Sequence, residues 1–195
     1  MAQIAEISFS RILGILEELS KMDEIPSAAQ KYPDFPNFAA HIAKLFADDR
    51  LMGVLPRARL ELELIKKTSP RVRPALDPFI STQLGVFSRN FSDWEVGHFL
   101  SYPDCCIRPF TEEARFGLDE RHTEELKKVK GKIFVTTAGF IPHSIFCEES
   151  LSKGLIAFVS KEELEGLRIL EKKIALALPH MHTSYQGTYY EVRAV

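Results

Sequence analysis

The chain has 195 residues, of which 45% are hydrophobic and 27% are charged, and its formal net charge is −2 at pH 7. This length and apolar content can bury one sizeable core, and the near balance of charges argues against a dedicated nucleic-acid or membrane-surface protein, since both usually carry a basic excess. No apolar run approaches the roughly 20 residues that a membrane-spanning helix needs, which argues against a membrane protein.

The first 50 residues predict a helical segment. Apolar side chains recur at helical spacing over residues 3–20, which predicts an amphipathic helix. Three prolines within 24–37 argue against a regular helix there, because proline removes a backbone donor and clashes with the preceding turn. A second helix is expected over 38–48, where His41 is better explained as a surface or cap histidine than as a ligand.

Residues 58–64 alternate strictly, which favours a strand with one solvent-exposed face. A helix that begins at Pro56 is the competing interpretation, since Leu, Glu and Arg are good helix formers. The wider segment 57–73 carries six Lys or Arg against two Glu and is the only local basic excess. We interpret it as a solvated face, with phosphate or RNA contact as the less favoured alternative. Prolines from 70 to 78 then predict a loop.

The middle of the chain predicts a short capped helix. Residues 79–91 are compatible with a helix or with a strand. Ser92 followed three residues later by Glu95 fits a capping box, so a helix should begin there and run toward Tyr102. Pro103 is expected to end it, because the residue before a proline avoids helical backbone angles.

The two adjacent cysteines follow directly. Asp104 has the position of an N-cap, which would place Cys105 and Cys106 in a first helical turn, where free backbone N–H groups and the helix dipole favour an anion. Pro109 conflicts with a regular helix in this place. Either the cysteines lie in a single turn before the helix proper, or the helix is kinked.

The remaining residues alternate between helices and short strands. The clearest strand is 132–137, and residues 160–163 form a second capping box. The expected elements are a polar helix over 119–130, a strand over 132–137, a helix capped by Ser144 that runs through Cys147 to Leu151, a strand over 155–159, a helix from 160 to about 178, and a final strand over 187–194.

These elements together predict one α+β domain over 1–195, dominated by helices, with a small mixed or antiparallel sheet of three or four strands. Within it, the helical segment 1–50 is expected to pack on an α+β core formed by 51–195. A homodimer is compatible with this size, but no feature of the sequence names a partner.

Cysteine usage predicts a cytoplasmic protein. Three cysteines are too few, and odd in number, for a secreted disulfide framework. The first 20 residues contain Glu6, Glu17 and Glu18 and lack the layout of a signal peptide.

The strongest chemical signal is a set of thiols and imidazoles. His143 and Cys147 are four residues apart and can point the same way, and Cys105 or Cys106 would supply a further ligand. This set predicts a tetrahedral zinc or iron site. Adjacent side chains usually diverge, so we expect one cysteine of the vicinal pair to be the ligand or reactive thiol while its neighbour packs.

Other histidines extend the candidates. His180 and His182 form an H-x-H pair that could join the site in extended chain, although a surface role is favoured. Burial without chemistry remains a plain alternative for each cysteine, since free cysteine often behaves as a small hydrophobe.

Two other functional hypotheses remain open. A metal-free reactive thiol would use Cys105 or Cys106 as nucleophile, with His143 or His98 as its base and Glu148 or Asp104 to orient the imidazole. A strained vicinal disulfide would be a redox variant of it. A non-enzymatic module would instead bind RNA or protein through the basic segment 57–73.

Two motifs carry a family resemblance. Residues 102–110, YPDCCIRPF, resemble a Tyr-Pro-x-Cys-Cys-x-x-x-Phe signature, and residues 142–151, PHSIFCEESL, resemble a Pro-His-x-x-x-Cys-x-x-Ser-Leu signature. The pair is similar to an archaeal family catalogued as domain of unknown function 483. The resemblance implies a cytoplasmic archaeal protein and no particular activity. The family's second motif often holds a further cysteine, where this chain has Ile145 and Phe146.

The sequence therefore predicts one constellation. Its proposed metal ligands are Cys105, Cys106, His143 and Cys147, of which Cys105, Cys106 and His143 would be the catalytic groups of a thiol enzyme. Tyr102, Glu148 and Ser150 are expected to orient them through hydrogen bonds.

Overall fold

The computed structural model describes residues 3–22, 24–113, 115–179 and 188–193. Ten helices and three strands are present in these residues, which confirms a helix-dominated α+β fold with a small sheet. The helices are α1 (Ile4–Leu19), α2 (Ile25–Lys31), α3 (Pro36–Ala47), α4 (Val54–Thr68), α5 (Pro78–Leu84), α6 (Asp93–Phe99), α7 (Asp104–Glu112), α8 (Arg115–Leu126), α9 (Glu148–Ser152) and α10 (Lys161–Ala177). The strands are β1 (Ile133–Thr137), β2 (Ile156–Val159) and β3 (Tyr190–Arg193).

The sheet is antiparallel and has the order β2-β1-β3. Val135 in the central strand lies opposite Ala157 on one side and Val192 on the other. Only Ser160 separates β2 from helix α10. Helix α10 has the predicted capping box, in which the Ser160 hydroxyl accepts the N–H of Glu163 and the Glu163 carboxylate accepts the N–H of Ser160. Its buried leucines pack with the sheet in one apolar cluster.

The N-terminal helices bury a separate apolar cluster. Helix α1 packs on α4 and α3, as the apolar spacing of residues 3–20 predicts. Phe9, Leu16, Phe38 and Ile42 are fully buried here. Helix α3 also contacts α6. The description of the whole chain as one domain divided near residue 50 stays a prediction.

Two predictions about this region are wrong. The prolines of 24–37 do not exclude a helix, because Pro26 lies in the first turn of α2, where the helix needs no N–H donor from it. The alternating stretch 58–64 is not a strand but part of α4. Its buried residues Ala58, Glu61, Leu62 and Ile65 have helical spacing.

The buried carboxylate of Glu61 explains why the alternation misled. One of its oxygens accepts the backbone N–H of Asp77 at 3.0 Å, so a charged residue type faces the core. The strand prediction placed Glu61 on the solvent-exposed face. Only when Glu61 is counted as buried does the helical spacing of the buried residues become apparent.

The arginines of the basic segment 57–73 have partners within the chain. Arg57 pairs with Asp77 at 2.6 Å, Arg59 with Glu17 at 2.9 Å and Arg71 with Glu163 at 3.1 Å. Arg73 is buried. These contacts give the arginines partners within the chain, and the binding of RNA or protein by this segment stays a prediction. Among the described residues, no helix combines the length and apolar character needed to cross a bilayer.

Helices α5 to α7 bring the first motif to the site. Residues 79–91, which the sequence left open, begin with helix α5. The Ser92 hydroxyl caps α6 as predicted, but the Glu95 carboxylate accepts the N–H groups of Asn37 and Phe38 and thus caps α3 instead. A Cβ at Gly97 would lie 2.7 Å from Ile107, so glycine is what allows α6 and α7 to cross so closely.

Candidate metal centre

The vicinal cysteines lie in the first turn of α7, as the sequence predicts. Pro103 is the N-cap residue, and its carbonyl accepts the N–H of Ile107 at 2.9 Å, which closes the turn. Helix α7 continues through Pro109 to Glu112, so the cysteines are not confined to an isolated turn. Cys106 is buried and Cys105 is exposed.

Cys147 is placed differently from the prediction. Ser144 does not cap a helix; its hydroxyl donates to Glu125 at 2.7 Å and accepts the N–H of Phe146 at 3.1 Å. Helix α9 begins only at Glu148, with Cys147 as its N-cap residue. The thiol therefore lies at the start of α9, buried and facing the vicinal pair.

The fold brings the three thiols and the imidazole of His143 together. The Cys147 sulfur is 3.7 Å from the sulfur of Cys105 and 3.7 Å from that of Cys106. The Cys106 sulfur is 3.4 Å from His143 Nδ1. All four potential ligand atoms lie within 4.8 Å of one another. Both sulfurs of the vicinal pair lie within this distance, and the expectation that only one of them is a ligand or reactive thiol stays a prediction.

Three of the six separations among these atoms match a tetrahedral metal site, and the others are no longer than 4.8 Å. With zinc–sulfur bonds of about 2.3 Å and zinc–nitrogen bonds of about 2.0 Å, tetrahedral angles place two sulfurs about 3.8 Å apart and a sulfur and a nitrogen about 3.5 Å apart. The two sulfur–sulfur separations of 3.7 Å and the sulfur–nitrogen separation of 3.4 Å lie close to these values. We refer to Cys105, Cys106, His143 and Cys147 as the thiol–imidazole cluster.

Cys106 receives further contacts. The backbone N–H of His143 points to its sulfur at 3.4 Å, and the Ser150 hydroxyl lies 3.3 Å from it. Burial raises the pKa of the Cys106 thiol to about 11 even though these two contacts oppose the shift. Although Cys105 is exposed as a residue, partial desolvation of its thiol and the neighbouring thiols raise its pKa as well.

The pKa of the Cys147 thiol shifts in the opposite direction, to a lower value. Burial opposes its ionisation, but the Ser150 hydroxyl and backbone, with the other two thiols, hold its pKa below the ordinary value. Without an ion, Cys147 is therefore the thiol of the three that ionises most readily. A bound cation would deprotonate the others, since coordination stabilises the thiolate directly.

The loop that carries His143 is held by three side chains of α8. Arg121 donates to the His143 carbonyl at 2.9 Å, and Glu125 accepts the N–H of Ile145 at 2.8 Å. His122 is fully buried, and its Nε2 lies 2.7 Å from the carbonyl of Pro142 while Arg193 approaches its Nδ1 at 3.0 Å. A carbonyl requires a donor and a guanidinium requires an acceptor, so His122 is the neutral Nε2–H tautomer.

These α8 residues were missed by sequence reasoning, which described 119–130 only as a polar helix. The available signal was that Arg121 and His122 precede Glu125 by four and three residues, the spacing of neighbours on one helix. That pattern is common on solvated helices and points to no particular loop.

The predicted orienting residues have different places. Ser150 is fully buried against Cys106. Tyr102 packs its ring on Phe140, with ring centroids 4.6 Å apart. Glu148 is exposed, and the carboxylate that approaches the cluster is that of Glu149, 3.7 Å from the Cys105 sulfur.

The other candidate histidines do not belong to the cluster. His98 packs edge-to-face against Trp94, and its Nε2 lies 3.5 Å from the Asp104 carboxylate. His41, which lies on α3, packs beside the Phe91 ring. His180 and His182 lie outside the described residues.

Comparison with known proteins adds the family. A model described as "Protein of unknown function (DUF483)" matches residues 58–175, a range that contains the whole cluster. Uncharacterized protein MJ1106 of Methanocaldococcus jannaschii is 38% identical over 145 residues, which is 71% of this chain and 77% of that protein. An uncharacterized protein of Methanothermobacter thermautotrophicus is 39% identical over 148 residues, 74% of this chain and 80% of its own. No solved structure matches the chain.

Proposed function

The chain belongs to the DUF483 family of proteins of unknown function, and from the geometry of the thiol–imidazole cluster we propose that it binds a zinc ion through Cys105, Cys106, Cys147 and His143 Nδ1. The observation that carries the proposal is the pair of 3.7 Å sulfur–sulfur distances together with the 3.4 Å sulfur–nitrogen distance, which are those of a tetrahedral site.

The donor set favours zinc among the common metals. Three soft thiolates and one imidazole form one of the ligand combinations that are usual for structural zinc, whereas magnesium and calcium prefer oxygen ligands. Four protein ligands leave no open position for water or substrate. The ion therefore has a structural role, in which it joins the first turn of α7 to the His143 loop and to the start of α9.

The surroundings of the ligands support the same role. The Ser150 hydroxyl and the His143 N–H both lie within hydrogen-bonding distance of the Cys106 sulfur. Such contacts orient metal ligands and stabilise the negative charge on a coordinated thiolate. The carbonyl of His143 is in turn fixed by Arg121.

The metal-free thiol enzyme is the weaker alternative. Its premise was that the start of α7 lowers the pKa of Cys105 and Cys106, and desolvation of the two thiols raises both pKa values instead. Cys147 has the lowered pKa but is only 5% exposed, so substrate has little access to its sulfur.

Metal analysis tests the proposal. Protein purified without added metal should contain about one zinc ion per chain, as a four-ligand site requires. After exchange into cobalt(II), the spectrum should show the ligand-field bands of tetrahedral cobalt and a thiolate-to-cobalt charge-transfer band. Cys147→Ser should reduce the charge-transfer intensity per bound cobalt and weaken metal retention.

The histidines provide a matched control. His143→Ala should lower metal retention, whereas His41→Ala, on α3 beside Phe91, should leave it unchanged. If the protein stays free of metal after zinc is supplied, with all three thiols open to titration, the proposed centre does not exist. Iron in place of zinc would keep the ligand set and correct the metal.

A further inference from the structure

A cavity of about 640 Å³ lies beside the thiol–imidazole cluster. Its walls come from the segment between α5 and α6, from α6 and α7, and from the loop after β1. The volume is in the range of roughly 300–1,000 Å³ that is typical of small-molecule sites. Cys106 and Tyr102 form part of the wall, so the cavity and the cluster are neighbours.

The lining is mainly apolar and aromatic. Phe91, Val96, Leu100 and Phe140 are among the residues that contribute to the walls. Phe87 and Phe110 also line the cavity and remain 48% and 40% exposed, which places two large apolar side chains in contact with both the cavity and solvent. Such a surface favours the apolar part of a ligand.

A buried cation forms part of the same wall. Arg73 lines the cavity with only 1% of its surface exposed. Its terminal nitrogens donate to two neutral acceptors, the Ser8 hydroxyl and the Leu100 carbonyl, each at 3.0 Å. Its Nε has no hydrogen-bond partner, and no carboxylate of the described residues forms an ion pair with it.

A buried guanidinium without a directly bonded anion is unfavourable, because desolvation of the charge is not offset. The Glu61 carboxylate is close enough to stabilise the charge of Arg73 electrostatically, but it forms no hydrogen bond or ion pair with the guanidinium. The remaining charged residues of the wall, Arg89 and Asp93, are exposed and of opposite sign, so neither supplies Arg73 with a direct anionic partner. A ligand with an anionic group supplies the missing partner, since the guanidinium fork binds carboxylates and phosphates well.

We propose that the cavity binds a small organic anion, with its carboxylate or phosphate at Arg73 and its apolar part against the phenylalanines. The proposal does not depend on the metal centre, because neither Arg73 nor the phenylalanines are metal ligands. The nearby cluster would form one wall of the ligand site whether or not it holds zinc.

The test uses the fluorescent aromatic sulfonate 8-anilinonaphthalene-1-sulfonate as probe, titrated into the folded, metal-analysed protein. We expect saturable binding, displacement by octanoate or octyl phosphate, and much weaker displacement by octanol. The better of the two anions identifies the head group. If octanol competed as well as both anions, the proposal would be contradicted, because binding would then depend on the apolar chain of the ligand alone.

Charge variants at the half-exposed Phe110 locate the site without disturbing the buried Arg73. Phe110→Glu and Phe110→Lys remove the same ring, but only the first adds a negative charge beside the cavity. Probe affinity should fall by about tenfold more for the Glu than for the Lys variant, as expected for a nearby like charge in a desolvated site. Phe146→Glu, at a 43% exposed phenylalanine that does not line the cavity, serves as control and should not change binding.

Arg73→Lys keeps a positive charge but removes the planar guanidinium, which can bind an anion through two nitrogens. Both anions should therefore bind more weakly to this variant. If the Glu and Lys variants at Phe110 bind the probe equally well, or if no anion displaces it from the wild-type protein, the cavity is not an anion site. Zinc measured in the same samples separates this failure from a failure of the metal centre.

Discussion

The aromatic core of the N-terminal helices and the partly buried thiol–imidazole cluster are held together by different interactions. In the core, Phe38 packs edge-to-face on Phe91 and Phe99 at centroid distances of 4.9 and 5.2 Å. In the cluster, sulfur and nitrogen atoms contact one another and are fixed from outside by polar groups of α8 and α9. Apolar contacts need no ligand to be favourable, whereas the proposed cluster needs its ion.

The largest effect is therefore expected from the core. Phe38→Ala should lower the free energy of unfolding by about 3–5 kcal/mol, because a fully buried ring is lost and a cavity remains. Denaturant unfolding with and without zinc measures it, and the loss should be the same in both. Phe87→Ala, at a half-exposed ring, is the control and should cost clearly less. A loss at Phe38 that disappears with zinc would mean that the two regions are not independent.

Zinc should act on the other region. At a free concentration about 100 times the dissociation constant, a ligand that binds only the folded form stabilises it by about 2.7 kcal/mol. Hydrogen exchange should show that added zinc slows opening of residues 139–153, while amides of α1 and α3 that exchange through openings which leave the cluster intact are unchanged. Equal protection throughout the chain would indicate that zinc acts on global unfolding. The cluster and the aromatic core would then not differ in their dependence on zinc.

The same contrast explains what the sequence could predict. Helix α1, strand β1 and the capped helix α10 follow from apolar periodicity or from the reciprocal Ser160 and Glu163 bonds, which are local properties. Helix α4 was mistaken for a strand, because one buried carboxylate, Glu61, disguised its period. Pro26 concealed α2 for an equally local reason, since a first-turn proline looks like a helix breaker.

The site was predictable in membership but not in geometry. Motif residues and chemistry suggested that Cys105, Cys106, His143 and Cys147 belong together, and the fold places them together. Neither the role of Cys147 as an N-cap residue nor the support from His122 and Glu125 could be read from spacing, because both depend on how α8 packs on the loop after β1. Contacts between distant segments carry no periodic signal.

A smaller effect is expected at Ser150. Its fully buried hydroxyl lies beside the Cys106 sulfur, so Ser150→Ala removes a partner that orients the ligand. Zinc affinity should fall by about tenfold, the lower end of the range for such neighbours. Competition with a chelator measures it. Ser152→Ala, two residues along the same helix, removes only an exposed hydroxyl that bonds the Glu149 carbonyl, and it should leave zinc affinity unchanged. Equal affinities for the two variants would remove Ser150 from the site.

The smallest effect is expected at Ser160, which is close to the cluster in sequence but is not expected to be coupled to the metal. Ser160 follows β2, ten residues after Ser150, but its hydroxyl caps α10 on the Glu163 N–H and has no contact with the cluster. Ser160→Ala should cost about 1 kcal/mol of folding free energy, the usual value for loss of a cap, and the cost should not depend on zinc. Ser160→Asp, which can still accept the N–H, should restore most of it. Chemical denaturation of both variants with and without zinc makes the measurement, and a zinc-dependent cost would show that the sheet and α10 transmit stability from the metal centre.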